Sequence, residues 1–389
     1  MGNDMSMRVG IDLAAAAMGD RAPGTARLVS ELALALFKLP VPWTWVPVFS
    51  KAENPLRDAC DGLSPLTGRF KSFALHASFE LGHLWRSAGC QLGYAMAYFT
   101  PFFGPPVVAN FFDANFYENV DAWHRRRQWL RHQLTRSLFH HSIKRADRLF
   151  VLSDYGRRRL IEQFPETTEK WVIMRCGFSS PNRPSHHAPG WAKKIRKPFF
   201  FYAGSFSDNK NQRSLLEAWA LLQRKHADAP ALVMAGPGPE HYMSEVIAPL
   251  LKKLPRCEDV ILPGRIVDDE LGWAFQHAHA YVQPSIAEGF CMPLLEAMAC
   301  KLPVACSNTT SLPETAGPAA LFFNPHQPRE ILASIETLWQ EETTRKRIVQ
   351  SGSQRVAEFS WEKTANIVAG VIEDRLRLLC DPTSGHRKT

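Results

Sequence analysis

Short apolar segments, rich in β-branched or aromatic residues, recur along the 389-residue chain, and helix-like patterns separate them. Strands that alternate with helices in this way predict parallel β-sheets covered by helices on both faces. The predicted strands fall into two series, at residues 8–13, 43–49, 107–112, 148–152 and 171–174, and at residues 199–203, 231–235, 260–263, 280–283, 304–306 and 320–323. The sequence therefore predicts an α/β protein with two parallel sheets.

A segment without apolar periodicity separates the two series. Residues 179–197 are rich in Pro, Ser, His and Lys, as expected of a linker. We predict a doubly wound, Rossmann-like domain at residues 1–182, a second at residues 183–365, and a C-terminal helix at residues 366–389 that crosses back to the first domain. Ligands of such domains bind at the carboxyl ends of the strands, so we expect both domains to face a central cleft.

The composition is that of a globular cytoplasmic protein. Hydrophobic residues make up 45% of the chain, and its eight cysteines show neither a C-x-x-C pair nor a zinc-ligand spacing. Reduced thiols in a cytosolic protein are the simplest interpretation. Residues 1–7 lack the basic start of a signal peptide. Prolines and Gln91 interrupt the uncharged stretch at residues 89–112, which argues against a transmembrane helix.

Most of the excess positive charge lies in one segment. The chain carries 46 Lys and Arg against 38 Asp and Glu, and residues 121–148 contain eight basic and two acidic residues. Leu130, Leu134 and Leu138 form a stripe that predicts an amphipathic helix. Its basic face is either solvated or, with the three arginines at 157–159, a surface for anionic membrane lipids. No zinc finger or RNA-recognition signature accompanies it, so we expect no nucleic-acid partner.

Residues 283–308 predict a strand, a loop, a helix, a turn and a second strand. Pro293 fits the first turn of a helix, where its missing N–H costs nothing, so the helix should begin near Met292 and end near Cys300. The first N–H groups of a helix have no partner within it, and they bind anions, most often phosphate. We therefore predict an anion site at this helix terminus.

Two carboxylates flank the predicted anion site. Glu288 precedes the helix, and Glu296 lies in its first turns. Like charges cannot both bind a diphosphate, whereas a carboxylate accepts two hydrogen bonds from a vicinal diol, so a hexose and a ribose are suitable partners. The alternative is local, with Glu296 favouring the helix dipole and Glu288 capping the turn.

The same stretch resembles a known donor-binding signature. Residues 284–300 read PSIAEGFCMPLLEAMAC, and they resemble the signature of family 4 retaining glycosyltransferases of the GT-B fold, the type that builds bacterial polysaccharides and glycoconjugates. Residues 264–265, 302–304 and 311–314 also stand where that family has its counterparts. The resemblance implies that Glu288 contacts the donor sugar, that Glu296 contacts the ribose, and that backbone groups contact the sugar and diphosphate. Those backbone groups belong to Gly289, Phe290, Cys291 and Met292.

Lys210 follows the first predicted strand of the second domain. Asp208 is a candidate N-cap of the next helix, which would place Lys210 in the first turn, where the helix dipole disfavours a cation. A phosphate bound beside Lys210 would offset that cost, and the family resemblance implies a diphosphate-binding lysine at this position. The alternative is a solvated lysine.

The junction before Lys210 departs from the family pattern. Many members carry an arginine directly after the glycine, whereas this chain has Gly204 followed by Ser205. Stabilisation of the leaving group would then depend on Lys210, the helix terminus and Arg265. Gly204, Ser205 and Arg265 complete the predicted donor site in this domain.

The first domain carries fewer signals. Gly24 lies, with Gly19, in the predicted loop between the first strand and the first helix, which either approaches a phosphate or is an ordinary connection. Residues 107–113 resemble the family's strand that ends in His-Asp, with Asp113 retained as a candidate catalytic residue and Phe112 in place of the histidine. Phe112 either packs against a 6-deoxy donor sugar or belongs to the core.

The resemblance implies a retaining transfer of a hexose, which is mannose, glucose or a 6-deoxy hexose, from a nucleoside-diphosphate sugar to a hydroxyl of a glycan or lipid-linked acceptor. Lys210 and the helix terminus would supply the positive charge, so we expect neither a metal nor another cofactor. An enzyme at the inner face of the cytoplasmic membrane fits this chemistry. Two alternatives stay open, namely a sugar-nucleotide epimerase or phosphorylase on the same fold, and a non-catalytic paralogue.

Overall fold

The computed structural model describes residues 7–19, 22–50, 53–112, 126–179 and 187–380, with the backbone alone at residues 126–132. The chain divides into two compact units: unit 1 comprises Met1–Gly177 and Ser360–Thr389, and unit 2 comprises Phe178–Phe359. These boundaries differ by a few residues from those predicted after residues 182 and 365. Throughout the described ranges, no helix is long and apolar enough to cross a membrane.

Unit 1 is built on a parallel sheet. Its strands are β1 (Met7–Asp12), β2 (Trp43–Phe49), β3 (Leu66–Thr67), β4 (Leu92–Ala95), β5 (Val107–Asn110), β6 (Arg148–Val151) and β7 (Trp171–Ile173). They lie in the order β3-β2-β1-β4-β5-β6-β7. Apart from the C-terminal helix described below, its longer helical segments are α1 (Pro23–Phe37), α2 (Phe73–Leu75), a π-helical turn (His76–Glu80), α3 (Leu81–Ser87), α4 (Arg126–Arg145) and α5 (Asp154–Gln163). Shorter 3-10 turns lie at Ala14–Met18, Asp58–Cys60 and Pro165–Lys170.

The sequence pattern does not predict β3 and β4. β3 has two residues, and β4 contains Gly93, which weakens a strand signal. The reason for that glycine is Trp85, which is fully buried. A Cβ on Gly93 would lie 2.2 Å from the indole, and a Cβ on Gly10 of β1 would lie 2.1 Å from it. Two glycines on neighbouring strands therefore make room for one tryptophan.

Unit 2 repeats this architecture and confirms its six predicted strands. They are β8 (Phe199–Ala203), β9 (Ala231–Ala235), β10 (Val260–Gly264), β11 (Ala280–Gln283), β12 (Val304–Ser307) and β13 (Leu321–Phe323), in the order β10-β9-β8-β11-β12-β13. Its helices are α6 (Gln212–Lys225), α7 (Glu240–Tyr242), α8 (Ala248–Leu251), α9 (Asp268–His277), α10 (Met292–Ala299), α11 (Leu312–Ala316), α12 (Pro328–Gln340) and α13 (Glu342–Val356). A π-helical turn (Met243–Ile247) joins α7 to α8, and 3-10 turns lie at Gly190–Lys194, Asp208–Lys210 and Cys257–Asp259.

The core of unit 2 lies between its sheet and two helices. Phe200 and Tyr202 of β8 are fully buried against Trp219 of α6 and Ile335 of α12. Apolar residues three and four apart in α6 put one face of this helix on the sheet. The sheet is therefore held rigidly, and the ends of its strands are fixed in position.

The two sheets share one topology. In unit 1 the chain winds outward from β1 through β2 to β3, then returns to β4 on the other side of β1. In unit 2 it winds from β8 to β10 and returns to β11 beside β8. The gap between β1 and β4, and that between β8 and β11, is where the winding direction reverses. We call these the switch points of units 1 and 2, and ligands of doubly wound sheets bind at such points.

The C-terminal helix α14 (Trp361–Cys380) belongs to unit 1. The Thr364 hydroxyl donates to the carbonyl of Arg175 at 2.8 Å, and the Arg375 guanidinium lies 2.6 Å from the Asp147 carboxylate. Ile372 is buried on the apolar side of the helix. An apolar stripe and one ion pair thus hold this helix to unit 1.

The basic segment forms α4, and its predicted apolar stripe is correct at one position and wrong at another. Leu138 is partly buried against the core beside Phe139 and Ile143, whereas Leu134 is 63% exposed. The side chain of Leu130 lies outside the described residues. The arginines at 157–159 of α5 pair with Asp154 or Glu162 of the same helix, so two carboxylates offset part of their charge.

Candidate functional site

The loops that follow β8 and β11 meet at the switch point of unit 2. The backbone N–H of Ile286 donates to the carbonyl of Asn209 at 2.8 Å. The side-chain amide of Asn211 donates to the carbonyl of Pro284 at 3.1 Å. Each loop therefore fixes the other, and residues that are far apart in sequence take up defined positions at the end of the sheet.

Lys210 and Glu288 form an ion pair across these two loops. The ammonium nitrogen of Lys210 lies 2.6 Å from Oε1 of Glu288, and the two side chains are 25% and 9% exposed. The sequence predicts both residues at one ligand site, and the structure brings them into contact. A partly buried cation beside a buried carboxylate is an arrangement that can bind both an anion and a hydroxyl.

Further donors hold the Glu288 carboxylate in place. Oε1 also accepts the Ser285 hydroxyl at 2.8 Å and the side-chain amide of Gln283 at 3.2 Å. The Tyr281 hydroxyl in turn donates to the amide oxygen of Gln283. Sequence reasoning did not identify Gln283 or Ser285 as part of the site. A polar residue at the end of the apolar strand β11 was the signal that could have found them.

Helix α10 begins beside this ion pair and confirms the predicted start. Its first residue is Met292, and Pro293 lies in its first turn. The carbonyl of Glu288 accepts the Ser311 hydroxyl at 2.7 Å, and that of Phe290 accepts the Thr315 hydroxyl at 2.6 Å. In a trans peptide the N–H points opposite to the preceding carbonyl. The N–H groups of residues 289 and 291 therefore face away from Ser311 and Thr315, as an anion-binding terminus requires.

Cys291 stands at the N-cap of α10 in a left-handed conformation, with φ 74° and ψ 71°. This conformation is costly for a residue with a side chain. Burial, followed by the charge of Glu288, raises the pKa of the Cys291 thiol well above its ordinary value. The thiol therefore stays protonated at neutral pH and is a poor nucleophile.

The predicted N-cap Asp208 is wrong. Asp208–Lys210 forms a separate 3-10 turn, and α6 starts after Asn211, which has φ 54° and ψ 38°. Asparagine tolerates this left-handed conformation better than most residues. The Asn211 amide is held by the carbonyls of Pro284 and Pro325. Contacts between loops, rather than a helix cap, therefore set the position of Lys210.

The other predicted donor residues lie on the same unit with different exposures. Glu296 is 2% exposed within α10, one turn after the helix start. Gly204 is half-buried, Ser205 and Arg265 are exposed, and the backbone of residues 289–292 runs from the Glu288 loop into α10. The structure places all of them on loops or helix starts that follow strands of unit 2.

Three glycines stand side by side at the ends of β8, β9 and β10. The N–H of Gly204 donates to the carbonyl of Ala235 at 3.0 Å, and that of Gly236 donates to the carbonyl of Gly264 at 2.8 Å. A Cβ on Gly236 would lie 1.9 Å from the carbonyl oxygen of Gly204. This edge of the sheet is therefore lined by backbone, which lets a ligand approach closely.

Unit 1 corrects the expectation for Gly24, favours one of the two alternatives for Phe112, and leaves one expectation outside the described residues. Gly24 is the second residue of α1 rather than part of the loop before it, because Pro23 takes the first helical position. β5 ends at Asn110, and Phe112 is 5% exposed with its ring 5.2 Å from that of Tyr98. This burial favours the core interpretation of Phe112 over a sugar contact. Asp113 lies outside the described residues.

Comparison with known proteins identifies the region that carries this site. Residues 187–355 match the family model described as glycosyl transferases group 1. The O-antigen chain mannosyltransferase B of Escherichia coli is 31% identical over 228 residues, which are 57% of this chain and 59% of that protein. The serotype-specific mannosyltransferase WbdA of the same organism is 26% identical over 61% of this chain and 29% of its own length. This chain thus spans less than two thirds of these relatives.

Solved structures share the fold at low sequence identity. Sucrose-phosphate synthase from Thermosynechococcus elongatus superposes with a TM-score of 0.70 at 15% identity, covering 95% of this chain and 99% of that one. The Anabaena protein HepE in complex with UDP and glucose superposes with a TM-score of 0.68 at 14% identity, covering 95% and 100%. The two doubly wound parallel-sheet domains of this chain are therefore those of the GT-B fold.

Proposed function

We propose that the whole chain, of which residues 187–355 match the glycosyl transferases group 1 family model, is a retaining glycosyltransferase. It transfers a hexose from a nucleoside-diphosphate sugar to a hydroxyl of a glycan or lipid-linked acceptor. The observation that carries this proposal is the contact between Lys210 and Glu288, 2.6 Å apart beside the start of α10. A cation, a helix terminus and a carboxylate at one switch point suit a sugar attached to a diphosphate.

We assign each group of this site to one part of the donor. Lys210 and the N–H groups at residues 289–292 bind the diphosphate. An ammonium has three N–H donors, so Lys210 can hold Glu288 and a phosphate oxygen together. Oε1 of Glu288 already accepts three donors, and we assign its other oxygen, Oε2, to a hydroxyl of the hexose.

The remaining donor contacts lie nearer the nucleoside. Glu296 accepts the ribose hydroxyls, which requires its buried carboxylate to face the ligand. Gly204, Ser205 and Arg265 line the glycine edge of the sheet, where backbone approaches the diphosphate and the base. Gly24 of unit 1 is a further proposed donor contact, and Asp113 is a proposed catalytic residue.

The reaction proceeds with retention of configuration. The acceptor hydroxyl attacks the anomeric carbon on the face from which the diphosphate leaves, the bond from that carbon to the phosphate oxygen breaks, and the departing phosphate takes the acceptor proton. Negative charge builds up on the leaving group, so its stabilisation by Lys210 and the α10 terminus is the main catalytic contribution. We propose that this positive charge is sufficient and that the enzyme needs no metal ion.

The names of the relatives support a choice of donor and acceptor. The two Escherichia coli relatives are named as mannosyltransferases, and one is named for the O-antigen chain. We propose mannose as the hexose and a growing polysaccharide or its lipid-linked precursor as the acceptor. The enzyme would work in the cytoplasm, at the inner face of the membrane that holds such an acceptor.

Nucleotide binding is the first test. UDP, GDP, ADP and dTDP are each added to the protein, and thermal unfolding is recorded. We expect one diphosphate to stabilise the protein by about 2.7 kcal/mol at a hundred times its dissociation constant. The matching monophosphate should stabilise it less, because the Lys210 site receives the second phosphate. Equal stabilisation by both nucleotides, or none by any diphosphate, would contradict the proposal.

Product analysis tests the reaction class. With the nucleoside-diphosphate mannose of the base so identified and an oligomannose acceptor, NMR of the product should show an α-linkage, the configuration of the donor. A β-linkage would exclude retention, and inversion at C2 of the donor without acceptor would indicate an epimerase. A chelator should leave the rate unchanged, and a rate restored only by a divalent ion would overturn the metal-free part of the proposal.

A further inference from the structure

We propose that unit 1 binds an anionic lipid bilayer through a cluster of exposed apolar side chains, Leu75, Phe79, Phe102 and Phe103, which we call the Phe79 patch. This inference rests on the proposed function for its purpose, since it would bring the enzyme to a lipid-linked acceptor. Membrane binding itself is measured without turnover. It therefore stands or falls separately from the reaction.

The four large apolar side chains of the patch are all exposed to solvent. Leu75 is 46% exposed, Phe79 49%, Phe102 38% and Phe103 43%. Single exposed apolar residues are common on protein surfaces, but contiguous groups of large ones mark an interaction site. Phe70, on the loop that leads into the same helical segment, is also 43% exposed.

A ring contact, helical spacing and backbone contacts place these residues on adjoining segments. The rings of Phe79 and Phe102 lie 5.1 Å apart, and Leu75 precedes Phe79 by four residues, about one helical turn. The N–H of Phe102 donates to the carbonyl of Ser78 at 2.9 Å. The carbonyl of Phe103 packs so closely on Gly82 that a Cβ there would lie 1.8 Å from it.

Basic side chains border the patch. Arg86 and Arg145 line a groove of about 540 Å³ together with Phe102 and Phe103. The Arg145 guanidinium donates to the carbonyl of Pro105 at 2.8 Å, which holds it beside the aromatic rings. The acidic residue of that groove, Asp147, is paired with Arg375 of α14. The groove therefore presents mainly positive charge next to apolar rings.

The loop before the patch carries further positive charge. Between residues 66 and 103 the basic residues are Arg69, Lys71 and Arg86, and Glu80 is the acidic one. Glu80 accepts the N–H groups of Arg69 and Phe70 at 2.6 and 3.2 Å. The carboxylate is thus used to hold the loop.

A buried cluster fixes this segment as a platform. Nδ1 of His76 lies 2.9 Å from Oε2 of Glu80, and Nε2 of His76 lies 3.8 Å from Oδ1 of Asp12 at the end of β1. A Cβ on Gly68 would lie 2.3 Å from the Glu80 carboxylate. The patch is therefore presented on a rigid support, so ordering it costs little when it binds.

Charge and shape together favour a bilayer as the partner. Aromatic rings bordered by Arg and Lys suit the boundary between anionic headgroups and acyl chains, where the rings bury and the cations meet phosphate. A second copy of the chain is disfavoured, because a two-fold contact would place the same basic border against itself. The arginines of α5 are a weaker candidate surface because each is paired within its own helix.

Vesicle flotation tests the proposal with the full chain. Vesicles of phosphatidylcholine with phosphatidylglycerol are compared with pure phosphatidylcholine at low salt, and the floated fraction gives the partition coefficient. We expect binding to the anionic vesicles, and a double variant F79S/F102S should lower the partition coefficient by about tenfold or more. The control is Phe322→Ser in unit 2, a phenylalanine that is 40% exposed and should change the coefficient less than about twofold.

Two further measurements keep the outcomes distinct. Thermal unfolding verifies that every variant folds, and a modest lowering of the unfolding temperature is expected for F79S/F102S, whose rings pack on each other. Failure of the parent protein to float, or unchanged binding by F79S/F102S, would overturn the proposal. A dimer in sedimentation velocity that F79S/F102S dissolves would do so in favour of a second copy. Nucleotide stabilisation of F79S/F102S reports separately on the proposed function.

Discussion

The two switch points have the same topology and opposite chemistry. In unit 2, the gap between β8 and β11 holds Lys210 and Glu288 in contact, with the lysine side chain 25% exposed. In unit 1, the gap between β1 and β4 holds Asp12, which is 1% exposed and 3.8 Å from His76. Its Oδ2 has no hydrogen-bond partner among the described residues. One switch point thus offers a reachable cation, and the other encloses a carboxylate.

This difference shows that topology places a ligand site without choosing its ligand. A phosphate at the unit 2 switch point would be stabilised by the charge of Lys210 and by the N–H groups at the start of α10. A phosphate at the unit 1 switch point would meet Asp12, and burial already raises the pKa of that carboxyl despite the opposing effects of His76 and the Ala14 N–H. The side chains after the strands therefore favour anion binding at unit 2 over unit 1.

The largest effect is expected when a substitution removes the cation from the unit 2 switch point. Lys210→Met keeps much of the apolar stem and loses the charge. We expect kcat to fall about 10²- to 10³-fold, as is typical when one group that stabilises transition-state charge is lost. Steady-state kinetics with the nucleotide-sugar donor measures it, and nucleotide stabilisation should fall in parallel. A variant that keeps more than about a tenth of the parent rate would contradict the proposed role of the Lys210 charge.

A matched lysine serves as the control for that variant. Lys225 lies 2.9 Å from Oε1 of Glu336 and is 59% exposed, so Lys225→Met removes another paired lysine from the same unit. Exposed ion pairs contribute little, and we expect kcat within about twofold of the parent. An equal loss in both variants would point to a general loss of charge rather than to the switch point.

The next effect concerns stability and tests the carboxylate of unit 1. The folded protein binds the Asp12 proton more tightly than the unfolded chain does, because its pKa lies above the ordinary value of 3.8. Stability attributable to Asp12 therefore falls as pH rises from that value through the folded pKa. Asp12→Asn lacks this loss and can still accept the Ala14 N–H. The variant should gain stability relative to the parent as pH rises, by on the order of 1 kcal/mol.

Urea unfolding across a pH series measures this difference. The pKa of Glu80 is lowered by its hydrogen bonds to His76 and to backbone N–H groups, in spite of partial burial. Its contribution is lost as pH falls through the folded pKa, and it is present in both proteins. It should therefore largely cancel between them. If the difference in unfolding free energy between the two proteins stays constant with pH, the pKa of Asp12 is not raised by folding.

The smallest effect concerns the backbone at the start of α10. At Cys291 φ is 74°, so Cys291→Gly should be more stable than Cys291→Ala by about 1 kcal/mol. The control is Gly370, an exposed residue within α14 with open space around its Cβ position. There the order should reverse, with Gly370→Ala more stable than the parent by about 1 kcal/mol. Thermal unfolding compares the pairs, and alanine favoured at both positions would exclude strain at Cys291.

Much of unit 2 followed from local patterns. Its strands were predicted because apolar, β-branched runs alternate with helical spacing, and the start of α10 was predicted because proline fits the first helical turn. Glu288 and Lys210 were singled out from their positions relative to predicted element ends. These features depend on residues close together in sequence, where periodicity and cap chemistry act directly.

Other features had no local signal. β4 was missed because Gly93 reads as a break until Trp85 is seen packed against it. Asp208 fits a helix cap by its residue type, yet Asn211 precedes the helix and is held by its bonds to the carbonyls of Pro284 and Pro325. Gln283 and Ser285 became site residues only when the strand end was found beside Glu288.

The sequence by itself determined the two parallel sheets, most of their strands and the start of α10, because these follow from short-range periodicity and backbone chemistry. Only the tertiary structure decided that Lys210 meets a carboxylate 78 residues away, and that Asp12 is enclosed while Lys210 is reachable. Those outcomes depend on how loops pack across a sheet and on how much solvent is removed from each charge. No spacing along the chain encodes that desolvation.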